Sequence, residues 1–206
     1  MTRLRFIAIA WSALLLSACS PPSVPDVTWY RLPPPAPLPK APKPLSVLPI
    51  EVETFRAEGL YAEQAVLYAT TADAGALRAY HYQLWSDPPS RGLQERLTNR
   101  LRDSGIAPLV SDRLPASVQA LRVQGRIRRY ERVNQEPGVT VAVAFEMRVE
   151  QDTGEPLLET TYSATQPAAD TSMAATVRAF ADAVDTVFAK FQSDLAALEG
   201  GAHDAR

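Results

Sequence analysis

Cysteine occurs once in the 206 residues, at Cys19. A single thiol cannot close an intramolecular disulfide, so a disulfide scaffold, a cysteine zinc cluster and a CxxC redox pair are all excluded. Histidine occurs only as His81 and His203. A metal centre needs several convergent ligands, and two distant imidazoles with scattered carboxylates do not supply them. The chain has no GxSxG, no Walker A loop and no HExxH, so the common nucleophile, phosphate and zinc motifs are missing. Excess charge of one sign is missing too. The chain has 21 Lys+Arg against 23 Asp+Glu, a net charge of −2, whereas nucleic-acid binding requires a dense basic face. These absences point away from an enzyme and away from any metal, cofactor or nucleic-acid partner.

What is present begins at the N-terminus. Arg3 and Arg5 precede an apolar run from Phe6 to Leu16, and small residues lead to Cys19. This is the layout of a secretory signal. The run falls short of the roughly 20 apolar residues that span a bilayer. The stretch Leu16-Ser17-Ala18-Cys19 resembles the bacterial lipobox. That resemblance implies cleavage after residue 18, an S-diacylglycerol and an N-acyl group on Cys19, and no other prosthetic group. One acyl chain anchors only marginally, whereas several together hold a protein on its membrane. Ser20 is not the Asp that typically retains a lipoprotein at the inner membrane, which favours the periplasmic face of the outer membrane. Loss of residues 1–18 removes two Arg and leaves 188 residues with a net charge of −4, enough for one domain with a buried core.

Residues 19–45 read as a lipidated N-terminus and proline-rich linker. Pro21, Pro22 and Pro25 are followed by Pro33, Pro34, Pro35, Pro37, Pro39, Pro42 and Pro44. Proline at this density favours extended polyproline II. At ~3.1 Å per residue, residues 33–44 would form a stiff spacer reaching on the order of 40 Å. Such a spacer could be deleted without harm to folding. Between the proline clusters, Thr28-Trp29-Tyr30-Arg31-Leu32 reads as an edge strand docked on the domain.

Residues 46–198 read as that domain, a mixed α/β fold. Strands are expected over 45–52, 64–70, 76–85, 106–110, 118–133, 138–150 and 157–164. The first contains Pro49, which suits an edge or a bulge. In 138–150, Val139, Val141, Val143, Phe145, Met147 and Val149 alternate with Thr140, Glu146, Arg148 and Glu150, the pattern of a sheet with one face on a core. Leu93, Leu97 and Leu101 define one helix, with Asp87 or Ser90 as its cap, Gly105 as its stop and Arg96, Arg100 and Arg102 on its remaining faces. A second helix begins at Thr171 or Ser172, carries an apolar stripe through Val177, Phe180, Val184, Phe188, Phe191 and Leu195, and stops at Gly200-Gly201. The sheet should be largely antiparallel, with both amphipathic helices packed on it. The order strand, hairpin, helix occurs twice and suggests an internal duplication. Residues 199–206 read as a disordered tail.

Few polar residues stand out. His81, between Tyr80 and Tyr82, reads as structural. Asp182 and Asp185 fall on the solvated side of the last helix. Arg126, Arg128 and Arg129 form the densest basic patch: the outer face of a strand, or a contact for headgroups or an acidic partner.

Several pieces together resemble the ABC-type transport auxiliary lipoproteins, the PqiC-like family found with MCE-type lipid transport systems. They are Tyr30-Arg31-Leu32, the strand LSVLPIEV, the AVLYAT segment and, most specifically, residues 80–105, YHYQLWSDPPSRGLQERLTNRLRDSG, followed by the alternating strands and the terminal helix. The resemblance spans almost the whole chain after the leader. It implies a non-enzymatic lipoprotein at the outer-membrane bilayer that docks an MCE conduit powered by an ABC permease and ATPase. The alternative is a lipoprotein that binds a lipid or another ligand on its own. Tyr80, Tyr82, Trp85, Arg126, Arg128 and Arg129 are the candidate contact residues, and a homo-oligomer is compatible with the sequence.

Overall fold

A computed structural model describes residues 24–41, 43–71, 75–135, 137–151 and 156–204, with side chains as far as residue 198. The elements are β1 (Thr28–Tyr30), β2 (Ile50–Val52), a 3₁₀ turn (Gly59–Ala62), β3 (Ala65–Ala69), β4 (Leu77–Trp85), α1 (Pro89–Ser104), β5 (Val110–Ser111), β6 (Leu121–Gln135), β7 (Gly138–Glu150), β8 (Pro156–Pro167) and α2 (Met173–Asp204). The expected leader and Cys19 lie outside the described residues, as do residues 72–74 and 152–155 between expected strands.

The alternating pattern of β7 is realised. Val139, Val141, Val143, Phe145, Met147 and Val149 are buried, while Thr140, Glu146, Arg148 and Glu150 are only half-buried. β7 sits between β6 and β8 and pairs antiparallel with both along nearly its full length. The opposite edge of β6 is shared. Its first residues, Leu121–Val123, take β2 in parallel, and Arg132–Val133 take β3 in parallel. β5 adds to β2, and β4 and then β1 add to β3. The long ladders are antiparallel, and the parallel pairings cover two or three residues each. The result is the expected mixed α/β fold on one eight-stranded sheet.

Two expected strands are much shorter. The 45–52 strand contracts to Ile50–Val52, because the Pro49 carbonyl already accepts the Leu121 N–H at 2.9 Å and proline has no N–H to return. The 106–110 strand contracts to Val110–Ser111.

β6 contains a bulge. Ile127 faces Phe145 and Arg129 faces Ala144, so Arg128 is an extra residue with no opposite number. Bulges re-aim the side chains that follow them. Before the bulge the odd-numbered Leu121, Val123 and Ile127 point inward; beyond it Tyr130 does. Gly125 serves the same strand differently: a Cβ there would lie 2.5 Å from the Phe55 ring, so only glycine lets that ring lie flat on β6.

A cluster of aromatic rings sits within a largely aliphatic core. Phe55 meets Phe145 edge-on at 5.9 Å, Phe145 lies 5.8 Å from Phe188, and Tyr130 lies 4.6 Å from Phe180. Such pairs contribute beyond the area they bury. Leu93, Leu97 and Leu101 of α1 and Val184, Phe188, Phe191 and Leu195 of α2 close the core.

The helix ends differ in part from expectation. α1 starts at Pro89 with Pro88 as its cap. Neither Asp87 nor Ser90 caps it, and the Asp87 carboxylate instead accepts the Ser86 hydroxyl. A proline in the first turn costs no hydrogen bond, because that N–H has no helical partner. Gly105 stops the helix as expected, in the left-handed conformation at φ 67°. Ser172 caps α2 by accepting the Ala175 N–H at 3.1 Å. α2 does not stop at Gly200-Gly201 but runs through to Asp204, so the residues expected to begin the disordered tail are helical. Glycine lowers helix stability by roughly 1 kcal/mol against alanine but does not forbid the helix.

The largest correction concerns the linker. β1 pairs with Gln83–Trp85 as the aromatic island implied, but the prolines after it are not a free spacer. The Pro33 carbonyl accepts from Arg96 at 2.7 Å, the Ala41 N–H donates to the Ser104 carbonyl, and the Lys40 stem lies against Gly105. Leu38 and Pro39 border a shallow depression with Arg100 of α1 and Gln192 of α2. Residues 33–41 are a strap across the two helices. A proline-rich strand can lie there because it brings few N–H donors that need partners and leaves its carbonyls free to accept. The domain therefore starts at β1 rather than at residue 46, and the 40 Å spacer does not exist.

Candidate functional site

Among the described residues no group of His, Cys, Asp and Glu could hold a metal. His81 is exposed on β4, with its ring 6.4 Å from that of Tyr82. No helix among the described residues is long and apolar enough to cross a membrane.

The six candidate contact residues do not form one patch. Trp85, at 4 % exposure, belongs to the core, where its ring meets Phe180 at 5.2 Å and Tyr130 at 5.5 Å. It is therefore not a docking residue. Tyr80 and Tyr82 lie earlier on β4, within the irregular part of its ladder with β3, and Tyr80 packs partly against the core. Tyr80 stacks on Tyr68 at 4.5 Å with the Arg132 guanidinium 5.9 Å above its ring, and Tyr82 is exposed. β1 covers only residues 83–85 of β4, so the edge of β4 over Leu77–Tyr82 carries no strand among the described residues.

The basic patch is neutralised by its neighbours. Arg126 lies 3.7 Å from Glu58, Arg128 Nε donates to Glu146 at 2.8 Å, and Arg129 Nε donates to Glu131 at 2.7 Å. The ladder continues with Arg122 on Glu51 and with Arg148 between Glu150 and Glu159. Opposite charges facing each other across strands stabilise a sheet. The outer face of β6 and β7 is thus a balanced lattice of ion pairs, not a cationic surface.

No sequence motif marks the polar centre between the helices. Arg96, which looked like a solvated helix residue, is buried. Its Nε and Nη2 grip the two Asp185 carboxylate oxygens at 2.8 and 2.7 Å, and its Nη1 holds the strap. Arg100 is held in the same way by Gln192 at 2.9 Å, and burial pushes its guanidinium below its usual range. Asp185 is thus a partner of α1 rather than part of a solvated face. The spacing Arg96, Arg100 against Asp185, Gln192 was visible, but nothing in one sequence says that these two faces meet.

Beside Arg96 lies a cavity of about 450 Å³, walled by the strap at Leu32, Pro34 and Pro35, by the first turns of α1 at Pro89, Gly92 and Leu93, and floored by Trp85 and Tyr130. Arg31, Asp87 and Glu95 stand exposed at its rim. Burial holds the Tyr130 phenol far above its usual range, so it remains a protonated donor.

The fold recurs in solved structures. Protein XCC0632 from Xanthomonas campestris, of the DUF330 family, superposes with a TM-score of 0.73 at 18 % identity, over 86 % of this chain and 99 % of that one. The hypothetical protein CT253 from Chlamydia trachomatis gives a TM-score of 0.51 at 10 % identity, over 75 % and 98 %. At these identities the likeness speaks for the fold alone. No curated protein matches the sequence. The family model for the ABC-type transport auxiliary lipoprotein component matches residues 30–190, from the end of β1 into α2. That span takes in the strap, α1, the first part of α2 and the sheet from the end of β1 onward, and the chain belongs to the ABC-type transport auxiliary lipoprotein family.

Proposed function

We propose that the chain is the auxiliary lipoprotein of an MCE/ABC-type intermembrane lipid transport system. It is held by lipidated Cys19 on the periplasmic face of the outer membrane, and it docks the MCE conduit without turnover of its own. The family match over residues 30–190 carries this reading. The lipobox-like Leu16–Cys19 supports it, as does a charge-balanced sheet that suits a rigid docking body. The open edge of β4 with Tyr82, rather than Trp85, is the contact surface on this reading, because an unpaired edge can accept a strand from a partner. With the strap docked on the helices, only residues 20–27 separate Cys19 from β1. Eight residues span at most about 30 Å, so the domain rides close to its bilayer.

Cys19→Ser should abolish lipidation and leave an uncleaved or soluble chain. Recovery of a cleaved form in the outer-membrane fraction would refute the anchor. For the docking role, the full-length lipoprotein should co-purify with the MCE protein of its own transport system, and Tyr82→Arg should weaken that capture while leaving the melting temperature unchanged. Failure of the wild-type protein to co-purify would rule the docking role out.

A further inference from the structure

We propose that the cavity between the strap and α1 binds a hydrocarbon chain whose oxygen-bearing end, a carboxylate or an acyl ester, enters first. This goes beyond the docking role and does not depend on it, since the chain could dock a conduit with or without a ligand here.

The volume of about 450 Å³ lies within the roughly 300–1,000 Å³ of ligand pockets. The walls are apolar: Leu32, Pro34, Pro35, Pro89 and Leu93. The floor offers donors. Trp85 and Tyr130 are each only 4 % exposed, and neither the indole N–H nor the phenol O–H has a hydrogen-bond partner among the described residues. Buried tyrosine and tryptophan normally find such a partner. No fully enclosed side-chain nitrogen or oxygen among the described residues lacks a partner, so these two groups reach open space, and the space they line is the cavity. Arg96 adds to them. It spends three of its five N–H groups on Asp185 and Pro33, which leaves two, and its side chain lines the same cavity. Three donor side chains and no carboxylate at the floor select an acceptor. The rim carries two carboxylates, Asp87 and Glu95, against the single cation Arg31, a balance that disfavours an anionic head there, so the oxygen end goes inward.

Gly92 is the independent observation. It sits inside α1, where glycine weakens a helix relative to alanine. The fold does not require it: its φ is not positive, and a Cβ would meet nothing within 4 Å. What an added side chain would enter is the cavity.

The test uses the full-length chain in phosphatidylethanolamine–phosphatidylglycerol vesicles. One arm contains palmitic acid carrying a diazirine, and the other a phosphatidylcholine with the same group on one acyl chain. Irradiation should label tryptic peptides 79–91 and 92–96, and excess oleate should compete the label away. Labelling by the fatty acid alone assigns a free carboxylate, and labelling by both assigns an acyl ester. Gly92→Phe should abolish the label and Gly92→Ala should keep it. Tyr130→Phe should weaken binding about fivefold, the worth of one neutral hydrogen bond, without lowering the melting temperature. If Gly92→Phe does not fold, Tyr130→Phe decides. Label scattered over the surface, label indifferent to oleate, or label unchanged in a folded Gly92→Phe or in Tyr130→Phe overturns the proposal. Failure to capture an MCE partner leaves it standing.

Discussion

Phe188→Ala is expected to lower the unfolding free energy by about 3–5 kcal/mol, the cost of truncating a fully buried phenylalanine. Phe188 has no exposed surface and lies between two aromatics, 6.0 Å from Phe55 in the segment after β2 and 5.8 Å from Phe145 of β7. Phe55 is itself pressed against β6 at Gly125, so it has little room to fill the vacated space. The cost should therefore reach the upper half of that range. For a domain of this size each kcal/mol shifts the melting temperature by about 2–4 °C, so the loss should be plain in a thermal melt. A change below about 1 kcal/mol would mean that α2 does not seal the core.

Asp185→Ala should cost about 3 kcal/mol, although it removes a carboxylate that looks solvated in the sequence. The Arg96 side chain is 7 % exposed and that of Asp185 is 26 % exposed. Removing the carboxylate leaves a buried guanidinium with the Pro33 carbonyl as its remaining partner. Stranding one member of a buried pair costs about 3–5 kcal/mol, and the partial exposure of Asp185 places this case at the low end. Replacing both partners, as Arg96→Met with Asp185→Leu, should bring stability back to within about 1 kcal/mol of the parent, because the desolvation of both charges disappears with them. Chemical denaturation of Arg96→Met, Asp185→Leu and the double variant measures the coupling. A double-variant loss equal to the sum of the two single losses would show that the pair is not coupled. Because Arg96 also holds the strap, Asp185→Ala should speed tryptic cleavage after Lys40.

The strap changes what a deletion means. Residues 33–44 read as a removable spacer, yet their first part is tied to Arg96, Ser104 and Gly105. Deleting them would uncover both helices and remove a wall of the cavity, so that deletion is not expected to spare folding.

The legible parts of the fold were those with a period. β7 and both helices showed themselves through alternation and through three-four spacing, and the Gly105 stop and the Ser172 cap followed from local backbone chemistry. The illegible parts depended on what meets what. Arg96 carries the same charge whether it faces water or Asp185, and only the crossing of α1 over α2 decides between them. Proline density reads as an extended chain and says nothing about whether that chain floats or docks. The Arg126–Arg129 cluster looked like a binding surface because two of its partners, Glu58 and Glu146, lie elsewhere in the chain, and only Glu131, two residues beyond Arg129 on the same strand, was close in sequence. Trp85 looked like an exposed anchor because period two alone does not tell which face of β4 is covered.

The extra residue in β6 makes the length of that strand a form of information. Each position beyond Arg128 owes its inward or outward direction to a count that is odd by one. A substitution on the outer face changes one contact in a solvated lattice. Loss of Arg128 would only erase the bulge and leave Tyr130 facing inward with Ile127, its partner Val143 unchanged. Loss of one residue between Val123 and Ile127, where no bulge absorbs it, would instead put those two on opposite faces. Away from the bulge the strand is far more tolerant of a change in spelling than of a change in length.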